Sequence, residues 1–188
     1  MVNAGAIATT SLVPGGTVED KWRFIHTGLS KFAARTLPLN KEVYASASET
    51  NFRNQGIARV LQSYGRIYTE PAEATDLYSR HCSVNVIARD LAVMGATLAD
   101  GGVNPVTKER VVDPLVCHYT LAVMTTAGLY ETSGDWLYDV GLPGKSGIGG
   151  GMVTVSPGKG GLSRRRISTR KAFHSSSSTG SPSSTRGS

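Results

Sequence analysis

The chain is poor in the residues that mark several function classes. Its two cysteines, Cys82 and Cys117, are too few for a disulfide framework and lack metal-ligand or Cys-x-x-Cys spacing; they read as buried, reduced thiols of a cytoplasmic protein. The four histidines, His26, His81, His118 and His174, are scattered and form no ligand motif, so neither metal nor cofactor is expected. No apolar run reaches the ~20 residues of a membrane span, and no charged start followed by an apolar core marks a leader. No membrane partner and a cytoplasmic location follow as expectations. Acids are absent from residues 162–188, which hold Arg164, Arg165, Arg166, Arg170, Lys171 and Arg186. The rest of the chain balances bases against acids, so the net charge of +6 belongs to that end. This excludes a basic nucleic-acid-binding face on the folded part.

What is present is enough for one domain: 188 residues with a hydrophobic fraction of 39%. Thr17 caps a predicted helix whose apolar stripe is Trp22, Ile25, Leu29, Phe32 and Ala33, ending before Pro38. Ser48 precedes a second helix carrying Arg53, Asn54, Ile57, Leu61 and Tyr64, stopped by Gly65. Pro71 starts a third, with Asp76, Leu77 and Tyr78. Ser83 opens a fourth, with Val84, Ile87, Leu91, Met94 and Leu98, which the spacing makes the most buried. Asp113-Pro114 launches a fifth through Ala127, and a short helix surrounds Asp135 to Tyr138.

Glycines crowd the stretch Val140-Gly141-Leu142-Pro143-Gly144-Lys145-Ser146-Gly147-Ile148-Gly149-Gly150-Gly151-Met152-Val153. A phosphate-binding loop ending in Gly144-Lys145-Ser146 needs glycine where Asp139 stands. A dinucleotide fingerprint needs a helix after Gly147-Ile148-Gly149, where Met152 to Val155 read as strand. The stretch instead reads as a loop feeding a strand that something approaches closely, with a purely structural turn as the plainer alternative. From Leu162 the sequence turns Ser/Arg-rich with almost no apolar side chains, and disorder is expected. A slipped reading frame and a natural basic tail are equally open there. Its arginines attract phosphates only non-specifically, so no specific nucleic-acid partner is expected.

The order of motifs resembles the serine-dependent glutaminases, which share their fold with β-lactamases and penicillin-binding proteins. The matching segments are Val2-Asn3-Ala4-Gly5-Ala6-Ile7, Ser48-Glu49-Thr50-Asn51-Phe52-Arg53-Asn54, and Tyr78-Ser79-Arg80-His81-Cys82-Ser83. They continue through Leu98-Ala99-Asp100-Gly101-Gly102-Val103-Asn104-Pro105, Met124-Thr125-Thr126-Ala127-Gly128-Leu129-Tyr130 and the glycine-rich stretch. The resemblance implies an α/β (α+β), β-lactamase-like fold, here mostly its helical subdomain with part of the sheet missing. It divides the chain into a partial glutaminase domain, 1–161, and a tail, 162–188. It implies hydrolysis of L-glutamine to L-glutamate and ammonia through a serine acyl-enzyme, and homo-oligomers. Asn3, Asn54, Tyr78, Tyr130 and the backbone of Ile148 would bind substrate, Tyr78 would also shuttle the proton, and Lys145 would support the field of the site. Without the resemblance, Asn3 reads as a helix cap, Asn54 as a solvated helix residue and the tyrosines as ordinary half-buried aromatics.

Two departures from the family pattern stand out. The family nucleophile is the serine of a Ser-x-x-Lys motif upstream of the Asn-Ala-Gly segment, and Met1 lies just before that segment, so this chain is expected to be inactive alone. Ser11 has no lysine at the required place, and Ser168-Thr169-Arg170-Lys171 fits only by chance. At Ala47 the family has a glutamate that pairs with the substrate ammonium, and Glu49, two residues on, points elsewhere. The expectation is weakened glutamine binding. The alternative function is a non-catalytic fragment that binds a full-length glutaminase. A penicillin-recognising acyltransferase is disfavoured by the Asn-Ala-Gly and Arg-Asn segments. A strand without neighbours would leave open edges, low stability and a tendency to associate.

Overall fold

In the computed structural model of the chain, residues 3–165 are described. Eight helices precede three strands. They are α1 (Asn3–Thr10), α2 (Val18–Ala33), α3 (Lys41–Glu49), α4 (Phe52–Ser63), α5 (Pro71–Cys82), α6 (Ala88–Ala99), α7 (Pro114–Ala127) and α8 (Ser133–Val140). The strands β1 (Gly144–Ser146), β2 (Gly151–Ser156) and β3 (Gly160–Arg165) form an antiparallel sheet in that order. The mixed, mostly helical architecture agrees with the expected class.

Two small cores hold the layers together. Ile7, Ala58 and Ala74 knit α1, α4 and α5, with Ile57, Leu61, Ile67 and Tyr78 around them. Ala99, Met124 and Val155 join α6, α7 and β2. Alanines at 58, 74 and 99 keep the side chains at these contacts small, so the backbones approach closely. Gly161 of β3 shows how closely: a Cβ there would lie 2.4 Å from the Ala96 nitrogen in α6. Only glycine lets the helix rest on this strand.

Local chemistry sets the helix ends. The Thr17 hydroxyl accepts from the Asp20 amide at 3.1 Å to cap α2. The Asn40 side chain accepts from the Val43 amide at 3.0 Å and starts α3, a helix that apolar spacing alone does not predict. The fourth predicted helix starts later than Ser83. Asn40 and Asn85 donate backbone bonds to Ser83 and Pro38, so this stretch pairs as extended chain, with an isolated bridge between Leu39 and Val84. The Asp90 carboxylate then accepts from the Ile87 amide at 2.8 Å and opens α6 at Ala88. Arg35 grips the same carboxylate with two bonds, of 2.7 and 2.5 Å, and these hold the Asp90 carboxyl below its ordinary range.

Three further expectations are corrected. The glycine-rich strand is not alone, because the turns at Gly147–Gly150 and Pro157–Lys159 bring two neighbours onto it. The Ser/Arg-rich stretch is not disordered from its first residue: β3 runs through Leu162 to Arg165, paired with Thr154 to Gly151 of β2. The remainder of the expected tail lies outside the described residues. Nor is α6 the most buried helix; α5 buries more of its residues, while Leu91, Met94 and Leu98 border an apolar hollow between α2, α6 and α7.

Candidate active site

Five separate parts of the chain converge on one cavity of about 800 Å³. The start of α1 brings Asn3; the junction of α3 and α4 brings Ala47, Thr50, Asn51 and Asn54; the end of α5 brings Tyr78, Ser79, His81 and Cys82. Tyr130 follows α7, and β1 with its turn supplies Lys145, Ser146 and Ile148. Every residue that the sequence singled out for a role therefore stands on this cavity: Asn3, Asn54, Tyr78, Tyr130, Lys145 and Ile148.

Their contacts give each a defined state. The Asn3 amide Nδ2 donates to Asn54 Oδ1 at 3.0 Å, joining α1 to α4 across the cavity wall. The Tyr78 ring meets His81 edge-on at 5.2 Å between centroids. Burial, with Cys82 and then Tyr130 nearby, pushes the Tyr78 phenol well above its ordinary range, so it holds its proton. Cys82, expected to be buried like Cys117, is exposed on the cavity wall; loss of solvent around its thiol still pushes it up, burial pushes the His81 imidazole down, and both therefore stay neutral around pH 7.

Tyr130 is one of three non-glycine residues with positive φ among the described residues, at 56°. The Ser133 hydroxyl holds it there, donating to the Tyr130 carbonyl at 2.8 Å and accepting from the Leu129 amide at 3.0 Å. Such a backbone persists only where surrounding contacts enforce it, and it clusters at functional sites. Lys145 reaches over the Tyr130 ring, with Nζ 4.9 Å from its centroid, and also donates to the Ser146 carbonyl. Burial lowers the Lys145 ammonium below its ordinary range. Beside it the turn at Gly147–Gly150 presents Ile148, 95% exposed. The Ile148 amide has no partner among the described residues, which leaves a backbone donor open beside the cavity.

The arrangement supplies neutral amides, phenols, one cation and an open backbone N–H, suited to a small zwitterion or amide. No aspartate or glutamate among the described residues lines the cavity. No cluster able to hold a metal occurs among the described residues. Ala47 faces the cavity whereas Glu49 does not.

A family model described as Glutaminase matches residues 1–164. The chain belongs to the glutaminase family. It is 76% identical to glutaminase 2 of Yersinia pestis over 162 residues, 86% of this chain and 48% of that protein. A Mycobacterium ulcerans glutaminase is 53% identical over 85% of this chain and 50% of its own length. Among solved structures, the probable glutaminase ybaS superposes with a TM-score of 0.84 at 49% identity, over 86% of this chain and 52% of that one. The Bacillus subtilis glutaminase YbgJ, solved as a covalent complex with 5-oxo-L-norleucine, superposes at 0.83 with 29% identity, over 86% of this chain and 58% of its own. The chain thus spans about half the length of the curated relatives it matches. These glutaminase structures share the β-lactamase-like fold that the motifs led us to expect.

Neither Ser11 nor Ser79 stands as a ready nucleophile. Ser11 is buried, donating to the Ala8 carbonyl at 2.6 Å and accepting from the Tyr68 amide at 3.2 Å. Ser79 donates to the Thr75 carbonyl at 2.9 Å. Ser168 lies outside the described residues. One match to Ser-x-x-Lys escaped the sequence reading, Ser156-Pro157-Gly158-Lys159, but it forms the β2–β3 turn away from the cavity. Sequence reasoning also missed Asn51, which sits within a motif yet reads there as an ordinary helix start.

Proposed function

We propose that this chain supplies the substrate-binding half of a glutaminase, hydrolysing L-glutamine to L-glutamate and ammonia. The convergence of Asn3, Asn54, Tyr78, Tyr130, Lys145 and Ile148 on one cavity carries the reading. The family resemblance places the nucleophile in a Ser-x-x-Lys segment preceding the Asn-Ala-Gly motif. In this reading the serine oxygen attacks the side-chain amide carbon, and the open Ile148 amide donates to the oxygen that becomes an anion. The serine proton passes to the lysine of its own Ser-x-x-Lys segment, the protonated Tyr78 phenol gives its proton to the departing ammonia, and the water that then cleaves the ester returns a proton to Tyr78 while the lysine returns one to the serine. The covalent adduct of the Bacillus subtilis relative supports this: 5-oxo-L-norleucine is an α-amino acid with a carbonyl at the carbon that bears the amide in glutamine.

The test is to join this chain in frame to the part of the Yersinia pestis relative that precedes its matched segment, and to measure ammonia release from L-glutamine. Release that disappears when the added serine of Ser-x-x-Lys becomes alanine is expected. A folded chimaera with no such release overturns the proposal.

Ala47 on the cavity wall supports weakened substrate binding. Ala47→Glu places a carboxylate there, and L-glutamine is expected to bind roughly tenfold more tightly in the chimaera, read from KM or calorimetry. No gain counts against this placement of the ammonium.

A homo-oligomer in the cytoplasm completes the reading. The outer face of α7 exposes Leu115, Val116, Tyr119 and Val123, which favours self-association, and both cysteines are free thiols. No helix among the described residues is long and apolar enough to cross a membrane. The same exposed face supports a second reading, in which the chain binds an intact glutaminase as a non-catalytic partner; co-purification with that enzyme tests it.

A further inference from the structure

An α-amino acid bound in this cavity brings an ammonium group into a wall that holds no carboxylate. Among the described residues only neutral oxygens are there to meet it, and several of these are already engaged. Thr50 donates its hydroxyl to the Ser46 carbonyl at 2.9 Å, and Asn54 Oδ1 accepts from Asn3. Asn51 differs. It is only 8% exposed, yet it lines the cavity, and although it stands at the start of α4 its side chain makes no capping bond. Its Nδ2 donates to Ser79 Oγ at 2.9 Å, and Ser79 in turn donates to Thr75, so the amide is pinned in one orientation. Asn51 Oδ1 is left with no protein partner among the described residues. Asn3 Oδ1 is open as well, but Asn3 is half-buried at a helix end and lacks that second-layer anchor.

We propose that Asn51 is a substrate-contacting, specificity-determining residue whose Oδ1 accepts a hydrogen bond from the α-ammonium of the bound amino acid. The inference rests on the glutamine reading above. A buried acceptor fixed by Ser79 needs no reorganisation when the ammonium arrives, and an unfilled one is unfavourable, so it discriminates for amino acids over their des-amino analogues. It also explains how a cavity with alanine at position 47 retains any preference for a zwitterion.

The experiment compares L-glutamine with 5-amino-5-oxopentanoic acid, the same molecule without its amino group, by calorimetry on the full chain. Wild type is expected to prefer L-glutamine. Asn51→Ala is expected to lower that preference roughly tenfold while leaving the des-amino analogue unchanged. Asn51→Asp keeps the shape and places a charge at the acceptor, while the Ser79 hydroxyl turns from the Thr75 carbonyl to donate to the new carboxylate; it is expected to raise the preference. Should the alanine variant fail to fold, the aspartate variant decides alone. Equal weakening of both ligands by Asn51→Ala, or no gain with Asn51→Asp, overturns the inference while leaving the glutamine reading intact. A wild-type chain that binds no α-amino acid overturns the inference but not the glutamine reading, which the chimaera tests separately.

Discussion

Replacing Asn104 with alanine is expected to lower the unfolding free energy by about 4 kcal/mol, a large part of what a domain this size possesses. The side chain is fully buried. Its Nδ2 donates to the Lys31 and Phe32 carbonyls at 2.8 and 3.1 Å, and its Oδ1 accepts from the Val106 and Thr107 amides at 2.9 and 3.2 Å. The two carbonyls belong to the last turn of α2, where backbone acceptors have no partner within the helix. One amide thus closes the end of α2 and folds the loop before α7. Alanine leaves the Phe32 carbonyl and the Val106 and Thr107 amides to whatever water reaches them, while the Lys31 carbonyl keeps the Ala34 amide at 3.3 Å; each buried group without a partner costs roughly 1–3 kcal/mol. Asn104→Asp is expected to be at least as damaging, because it turns a donor facing two helix-end carbonyls into an anion facing their negative dipole. Urea unfolding followed by far-ultraviolet circular dichroism checks both. A loss below about 1 kcal/mol for the alanine variant overturns the argument.

Asn104 also shows how far sequence alone reached. It lies in the segment Gly101-Gly102-Val103-Asn104-Pro105, which served to recognise the family, yet nothing in that run announces that its amide ties off a helix some seventy residues earlier. The helices of α2, α5 and α7 were legible because a cap, a first-turn proline or an apolar stripe acts within a few residues. The start of α6 was not. Val84, Ile87 and Leu91 have helical spacing, but Ser83 to Asn85 pair with Pro38 to Asn40, and that long-range pairing overrides the period. Likewise β3, Gly160-Gly161-Leu162-Ser163-Arg164-Arg165, has little intrinsic preference for a strand; β2 pairs with it and α6 rests on its Gly161. The residues that meet on the cavity were legible because each stands in a distinctive motif. Asn51 was not, because asparagine at a helix start normally caps the helix, and only the folded chain shows its amide turned to Ser79.

Tyr78→Phe, made in the chimaera that carries the upstream serine, is expected to lower kcat by a factor of roughly 10² to 10⁴ and to change KM far less. The phenol lies on the cavity wall among neighbours that all disfavour its ionised form, burial foremost. Its task in the proposed reaction is therefore to hold a proton until the leaving nitrogen needs it, and phenylalanine retains the ring and its contact with His81 while removing that proton. The pH profile separates Tyr78 from Lys145. A tyrosine pushed upward stays protonated past its ordinary value of about 10, so it produces no fall in rate at mildly alkaline pH. Lys145 shifts the other way: burial lowers it, so it loses its charge earlier as pH rises. An alkaline contribution below about pH 10 is thus expected from Lys145 and not from Tyr78. It should disappear in Lys145→Met and persist in the residual activity of Tyr78→Phe. A phenylalanine variant with unchanged kcat removes Tyr78 from the chemistry, and one whose KM rises while kcat holds assigns it to binding alone.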